Sequence, residues 1–359
     1  MGPLSDVKVI ELGQLIAGPF CTRILAEFGA QVIKIESPDG GDPLRQWRKL
    51  HKGTSLWWYL QSRNKKSVTV NLKSEEGQEI VRRLIGEADI LVENFRPGTL
   101  EKWGLGWEQL SLHNPGLVMV RLSGYGQDGP YAQRAGFGAI GALMALRHRE
   151  VNDGRGQVID VALYESVFSL MESLLPEFDV AGFVRERSGA SLPGIVPSNT
   201  YTTRDGKYVV IGANGDSIFR RMMDAIGRPD LAQDPALAKN DGRVERTEEL
   251  DKVIGDWCAA NDLEQVLRVL SEAQVPAGKI YDAADITRDL QYLARGMIQE
   301  ARLPDGTPMK VPGIVPKLSN TPGGTQWLGP AHGEHTDEVL QALGYDAEQI
   351  GALRERKVI

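Results

Sequence analysis

The sequence predicts an α/β protein whose first part is a doubly wound parallel sheet, followed by a smaller α+β part. Three observations carry this prediction. Residues 7–11 (VKVIE) and 31–36 (QVIKIE) are short, β-rich apolar runs. Between them Phe20, Ile24, Leu25 and Phe28 recur at helical spacing, and Gly29 closes the run. Strand-like and helical segments then keep alternating through the first third of the 359 residues, the pattern of a sheet covered by helices.

Two strands joined through a helix run parallel, with a right-handed crossover. Pro19 suits the first helical position, because its missing N–H has no partner there. The helix mouth at Ala17-Gly18-Pro19 then lies at the carboxyl end of the first strand, where open α/β sheets bind ligands. Unpaired N–H groups at such a mouth favour anions, and Gly18 lets the backbone approach a ligand closely. A phosphate, carboxylate or thioester is expected here.

Residues 37–67 are rich in Gly, Pro, Trp and basic side chains and read as a long loop. Arg45, Arg48, Lys49, Lys52, Arg63, Lys65 and Lys66 make this the most basic region of the chain, with Trp47, Trp57, Trp58 and Tyr59 among them. Two readings stand: a solvated edge with an aromatic cluster, or a subunit contact or phosphate-facing wall. Residues 68–72 alternate as a strand, and Ser74 caps a helix over Glu75–Gly86, whose two first-turn glutamates suit the helix dipole. Residues 90–92 and 117–122 are further strands.

Gly124-Tyr125-Gly126-Gln127-Asp128-Gly129 matches G-x-G-x-x-G after a strand. A dinucleotide site needs the motif on the first strand and a helix after it. Residues 130–136 read as more loop, so nicotinamide binding is discounted. Residues 139–148 form an apolar helix, and 158–175 a strand-like start to a long helix. Asp160 and Glu165 there fit capping and a solvent face. From about Asn199 a hairpin (201–205 and 207–213) leads into a helix from Ser217, and charged helices fill 243–271. Residues 298–315 suggest short strands around Pro304-Asp305-Gly306, still within the α+β insert. Residues 321–326 are a linker, and 336–343 and 347–354 are closing helices, the first with Thr336 as its N-cap.

Composition bounds the function. Hydrophobic content of 42% and charged content of 25% are ordinary for a globular protein. A net charge of −7 argues against nucleic acid as partner. Cys21 and Cys258 cannot make a disulfide framework, so a reducing, cytoplasmic location is expected. The N-terminus lacks a basic region followed by an apolar core, and no uncharged run reaches spanning length, so no membrane role is expected. His332 and His335 have no third ligand nearby, and neither a G-x-S-x-G elbow nor a P-loop occurs.

These residues together resemble the class III CoA-transferases, the family of formyl-CoA transferase, which also contains α-methylacyl-CoA racemases. The resemblance runs almost end to end. It rests on Val9-Ile10-Glu11-Leu12, Ala17-Gly18-Pro19, residues 29–36 (GAQVIKIE), Asn64-Lys65-Lys66-Ser67 and Asn71-Leu72-Lys73. It continues through residues 93–98 (ENFRPG), Gly124-Tyr125-Gly126, Gly154-Arg155-Gly156-Gln157 and Gly333-Glu334-His335-Thr336. It implies a Rossmann-like large domain built from both chain ends (1–198 and 316–359), a smaller α+β domain (199–315) and an interlocked homodimer. It also implies transfer of CoA from an acyl-CoA, such as succinyl-CoA, to a carboxylic acid, with no resident cofactor and no metal. Carried across by position, the CoA wall comprises Gln14, Leu15, Ile16, Ala17, Val70, Leu72, Asn94, Phe95, Arg96 and Lys102, with Arg134 as a further phosphate partner. Arg45 and Arg48 near the mouth suit a dicarboxylate acceptor such as succinate or glutarate.

Catalysis in the family runs through one aspartate, which forms a mixed anhydride and then an aspartyl-CoA thioester. Here the sequence departs from the pattern. In similar proteins several tens of residues separate the matches to residues 135–141 and 142–146, whereas in this chain the two are contiguous. No Asp or Glu lies between Asp128 and Glu150, so no catalytic residue is assigned, and Asp153 and Glu165 are not substitutes. The expectation is a chain that binds CoA and transfers it poorly or not at all, the alternative to a working transferase being a non-catalytic CoA-binding subunit. The racemase reading needs a histidine where Phe137 stands, and Phe carries no proton.

Overall fold

Val9 and Ile10 point to opposite sides of the first strand, and that alternation builds two cores. The computed structural model describes residues 2–123, 126–127, 139–171 and 173–359. Six parallel strands form the central sheet: β1 (Lys8–Glu11), β2 (Gln31–Glu36), β3 (Lys65–Thr69), β4 (Ile90–Glu93), β5 (Val118–Ser123) and β6 (Val158–Ala162). Their order across the sheet is β3-β2-β1-β4-β5-β6. Sequence order therefore reverses direction between β1 and β4, which makes the carboxyl ends of those two strands the switch point.

On one face Val9, Val32, Ile90, Val92, Val118 and Val120 pack against α1 (Ala17–Glu27) and the helix Ala139–Val151 through Leu25, Ala142 and Leu146. On the other, Ile10, Ile35, Leu91 and Met119 meet the helix Glu75–Gly86 and the C-terminal helices Thr336–Ala342 and Ala347–Glu355. Strands buried on both faces read as continuous apolar runs, which is why they were visible in the sequence. Ser74 caps its helix as expected, its hydroxyl accepting from the Gly77 N–H at 3.1 Å.

The chain divides into two compact units, Met1–Ser173 with Arg295–Ile359, and Leu174–Ala294. The boundaries expected from sequence were 198/199 and 315/316. The difference at the second has a packing reason: the antiparallel hairpin Ile298–Arg302/Pro308–Pro312 places Leu303 and Val311 in a cluster with Leu44, Trp58 and Tyr59 of the first unit. The second unit holds a three-stranded antiparallel sheet, Ser198–Thr202, Tyr208–Gly212 and Ala277–Lys279, with helices Asp216–Ala225, Thr247–Ala260 and Leu263–Glu272 around one core.

Several local expectations are corrected. The third strand starts at Lys65 rather than Val68, because Lys65 is buried by an ion pair. The stretch 37–67 is no plain loop: it contains the short helix Leu56–Gln61 and a two-residue hairpin, and Trp58, Arg45 and Arg63 are buried. The expected long helix after residue 158 is a strand followed by the separate helices Leu163–Phe168 and Leu174–Ala181. Thr336 does not cap its helix; its hydroxyl accepts from the Thr69 N–H at 2.9 Å and joins the closing helix to β3. Among the described residues, no helix is long and apolar enough to cross a membrane.

Asn64 secures the returning C-terminal segment. Its backbone is left-handed at φ 61°, which Asn tolerates better than most residues. Its amide donates to Gly324 O at 2.6 Å, and its carbonyl oxygen accepts from the Gln326 N–H at 2.7 Å. Replacing Asn64 with Ala removes these part-buried hydrogen bonds and puts a Cβ-only side chain at a left-handed position, so the urea midpoint is expected to fall by the equivalent of about 1–3 kcal/mol with the m-value unchanged. A variant as stable as wild type contradicts this role.

Candidate functional site

An acid closes each of three neighbouring strands at the carboxyl edge: Glu11 on β1, Glu36 on β2 and Glu93 on β4, all buried. A carboxylate in an apolar interior persists only if it is paired and hydrogen-bonded. Glu11 is matched by Lys34 at 2.8 Å, Lys65 at 2.8 Å and the Thr22 hydroxyl at 2.5 Å. Glu36 takes a bidentate contact from Arg45, 2.8 Å at each oxygen, and a hydrogen bond from Ser67 at 2.6 Å. Asp42 pairs with Lys34 at 2.8 Å. Arg45 also lies 3.6 Å from the ring centroid of Trp58, whose indole N–H donates to Pro330 O at 2.9 Å. Three carboxylates (Glu11, Glu36, Asp42) thus balance three cations (Lys34, Lys65, Arg45) out of reach of water.

The titration of these groups follows from their neighbours. Burial raises Glu36, but Arg45, Lys34 and Ser67 outweigh it and hold its pKa at about 2. Burial likewise raises Glu11, and Lys34 and Lys65 pull it below the usual carboxylate range. Burial lowers Lys34, yet Glu11, Asp42 and Glu36 keep it protonated well above its ordinary value. Lys65 shares Glu11 with Lys34, so burial prevails there and brings it down to about 8. Burial and Glu11 push the Cys21 thiol up to about 12, which leaves it inert.

This cluster fixes the loop between β1 and α1. Lys34 donates to Gly13 O at 2.7 Å, and both Asp42 oxygens accept from the Leu15 N–H at 3.1 Å. Leu15 is thereby held at φ 63°, a region a branched side chain rarely occupies. Asn94 clasps Gln14 from both sides, accepting from its N–H at 2.8 Å and donating to its carbonyl at 2.9 Å. That clasp bridges the carboxyl ends of β1 and β4 at the switch point. Among the described residues, the N–H groups of Ile16, Ala17 and Gly18 at the helix mouth meet no acceptor.

Gly18 also has a packing role. A Cβ there would lie 3.1 Å from Gly13 Cα, so the glycine admits the preceding loop. Pro19 stands third in α1, which begins at Ala17.

The structure places the sequence-predicted CoA wall in separate groups. Gln14, which leads into Leu15–Ala17, meets Asn94 through the clasp. Val70, Leu72 and Phe95 share one apolar cluster, with Phe95 edge-on to Trp103 at 5.4 Å. Arg96 and Lys102 are exposed on the loop and short helix after β4. Arg134 lies outside the described residues, as do Phe137 and most of the Gly124–Gly129 stretch. Arg45 cannot read a substrate carboxylate, since Glu36 occupies its guanidinium. Asp160 accepts from the Gln127 N–H at 2.7 Å, and Glu165 from the Tyr164 hydroxyl at 3.1 Å. His332 bonds Ser37 O and His335 accepts from the Ser67 N–H, so they share no site. The ion cluster itself escaped sequence reasoning. Its one signal was a lone acid ending each of the apolar runs 7–11 and 31–36.

Similarity to known proteins runs along nearly the whole chain. The profile of CoA-transferase family III matches residues 4–141 and 137–336. The succinyl-CoA–D-citramalate CoA-transferase of Chloroflexus aurantiacus is 45% identical over 395 aligned positions, covering 99% of this chain and 98% of that protein. The human succinyl-CoA:glutarate CoA-transferase is 30% identical, over 99% of this chain and 90% of its own length. Among solved structures, a CAIB/BAIF family protein from Brucella suis superposes with a TM-score of 0.82 at 30% identity, covering 95% of this chain and 99% of its own.

The depressed Glu36 pKa makes a prediction with a definite sign. A carboxyl group at about 2 in the folded state and near 4.5 unfolded stabilises fully above 4.5, and that contribution is lost as pH falls toward 2. At neutral pH Glu36→Gln is expected to lose on the order of 3 kcal/mol. The gap from wild type should close as pH falls through that window, as followed by denaturant titration. A gap that is constant with pH contradicts the assignment.

Proposed function

The chain belongs to CoA-transferase family III, and from that premise we propose that it moves coenzyme A from succinyl-CoA to a dicarboxylic acid. The observation that carries this reading is the rigid mouth at the switch point, where clamped Gly13–Leu15 backbone precedes N–H groups with no acceptor among the described residues. Such N–H groups suit a pyrophosphate or a thioester oxygen. Arg96 and Lys102, exposed nearby in the chain, suit the remaining phosphates, and Arg134 is a third candidate. Val70, Leu72 and Phe95 supply an apolar wall. The acceptor class rests on the relatives, whose names specify citramalate and glutarate. Both cysteines are free and buried, in keeping with a reducing compartment such as the cytoplasm.

We also propose a homodimer. Ile140, Met144, Val167, Phe168 and Leu170 of the first unit, and Phe178 and Phe183 of the second, are exposed although large and apolar. Apolar surface of this extent is ordinarily covered by a partner.

A second reading has its own support. Transfer through an enzyme carboxylate needs an acid at the mouth, and the sequence has none between Asp128 and Glu150. The family profile matches in two pieces that meet at 137–141, and the D-citramalate transferase aligns over 395 positions, more than this chain's 359 residues. Both facts accord with a segment absent from this chain, and hence with a protein that binds CoA without transferring it.

Intact mass after incubation with succinyl-CoA, alongside calorimetric titration with CoA, tests both readings. The transferase predicts a covalent CoA adduct that hydroxylamine removes. The silent binder predicts CoA binding with the mass unchanged at 39.4 kDa. Absence of CoA binding contradicts both.

A further inference from the structure

The basic run at residues 45–66 sorts into cations that are committed and cations that are not. Arg45 is paired with Glu36, Lys52 with Asp305, Arg63 with Glu27, Lys65 with Glu11 and Lys66 with Glu338. Among the described residues, only Arg48 and Lys49 of this run lack a carboxylate partner, and both are exposed.

Arg48 is nonetheless held in place. Its guanidinium carbon lies 4.7 Å from the centroid of the Trp57 ring, and Trp57 leans on Trp47 at 6.3 Å. Its backbone is left-handed at φ 60°, so the loop adopts this conformation against local preference. A guanidinium lying over an indole uses its face and keeps its N–H edge free, and that planar fork fits a carboxylate with two parallel hydrogen bonds. Trp57 packs against the buried cluster of Leu44 and Trp58, and so does Leu15 of the helix mouth. The platform under Arg48 is therefore continuous with the mouth.

We infer that Arg48 is a specificity-determining residue, receiving the carboxylate at the far end of the acyl group and so selecting dicarboxylic acids over monocarboxylic ones. This rests on the reading of Gln14–Ala17 as part of the CoA site. Arg45, the other arginine of the loop, is excluded by its bond to Glu36. Lys49 carries a charge but lacks both the fork and the aromatic support.

The test uses two stable thioethers that cannot be transferred, S-(3-carboxypropyl)-CoA and S-butyl-CoA, titrated calorimetrically into the full-length protein. They differ only in a terminal carboxylate against a methyl group. Wild type is expected to bind the carboxylate form at least about tenfold tighter. Arg48→Gln should erase that preference with the affinity for S-butyl-CoA unchanged. Arg48→Lys should keep a reduced preference, and Lys49→Gln the full one. A preference that survives Arg48→Gln, or that wild type lacks while binding both thioethers, overturns the inference and leaves the CoA site standing. Failure of wild type to bind S-butyl-CoA overturns the site assignment and this inference together.

Discussion

The Lys34 ammonium has three donors, and each is used: Glu11 at 2.8 Å, the Gly13 carbonyl at 2.7 Å and Asp42 at 2.8 Å. From β2, between β3 and β1, it ties together the acid ending β1, the loop after it and the segment after β2. Everything at the carboxyl edge depends on that tripod. Glu11 in turn takes Lys65 from β3, and Asp42 takes the Leu15 N–H, so the conformation of the mouth follows from charges that cannot be left unpaired.

Ion pairs of this kind are not the cheapest way to stabilise a core. Desolvating several charges costs much of what their attraction returns, and well-packed apolar residues often do as well. What the ions provide here is direction. A hydrophobic contact holds Leu15 near the core, but only an acceptor at a fixed point holds its N–H at φ 63°. Asn94 applies the same logic to Gln14, using one amide group to bind both its N–H and its carbonyl. A site that binds a large, charged, flexible ligand benefits from such rigidity, because the ordering is done before the ligand arrives.

Much of the fold was legible in the sequence, and the parts that were not depend on tertiary contacts. The runs at 7–11, 31–36, 90–92 and 117–122 are buried on both faces and announce themselves as apolar. Ser74 and Glu75–Gly86 were legible because capping and amphipathic spacing are local. Lys65 and Arg45 were read as part of a basic loop, since the acids that pair with them, Glu11 and Glu36, lie on β1 and β2. The contact of Gly18 with the equally anonymous Gly13 went unread. The hairpin at 298–312 was grouped with its chain neighbours, although its apolar side chains belong with Trp58 and Leu44. For Lys65 and the hairpin a contact distant in sequence decided the outcome, and for Arg45 and Gly18 a tertiary contact within the same stretch did. At the candidate site, the resemblance supplied the wall residues, while the clamp that orders Gln14–Leu15 emerged only from the structure.

Hydrogen–deuterium exchange with and without CoA addresses the claim that the ion cluster pre-forms the mouth for this ligand. The amides of Gln14 and Leu15 are expected to exchange slowly in the free protein, because Asn94 and Asp42 already hold them. Those of Ile16, Ala17 and Gly18 should exchange readily until CoA is added and slowly afterwards. Fast exchange at Gln14 and Leu15 in the free protein, or CoA protection confined to other segments, contradicts a pre-formed CoA site at the switch point.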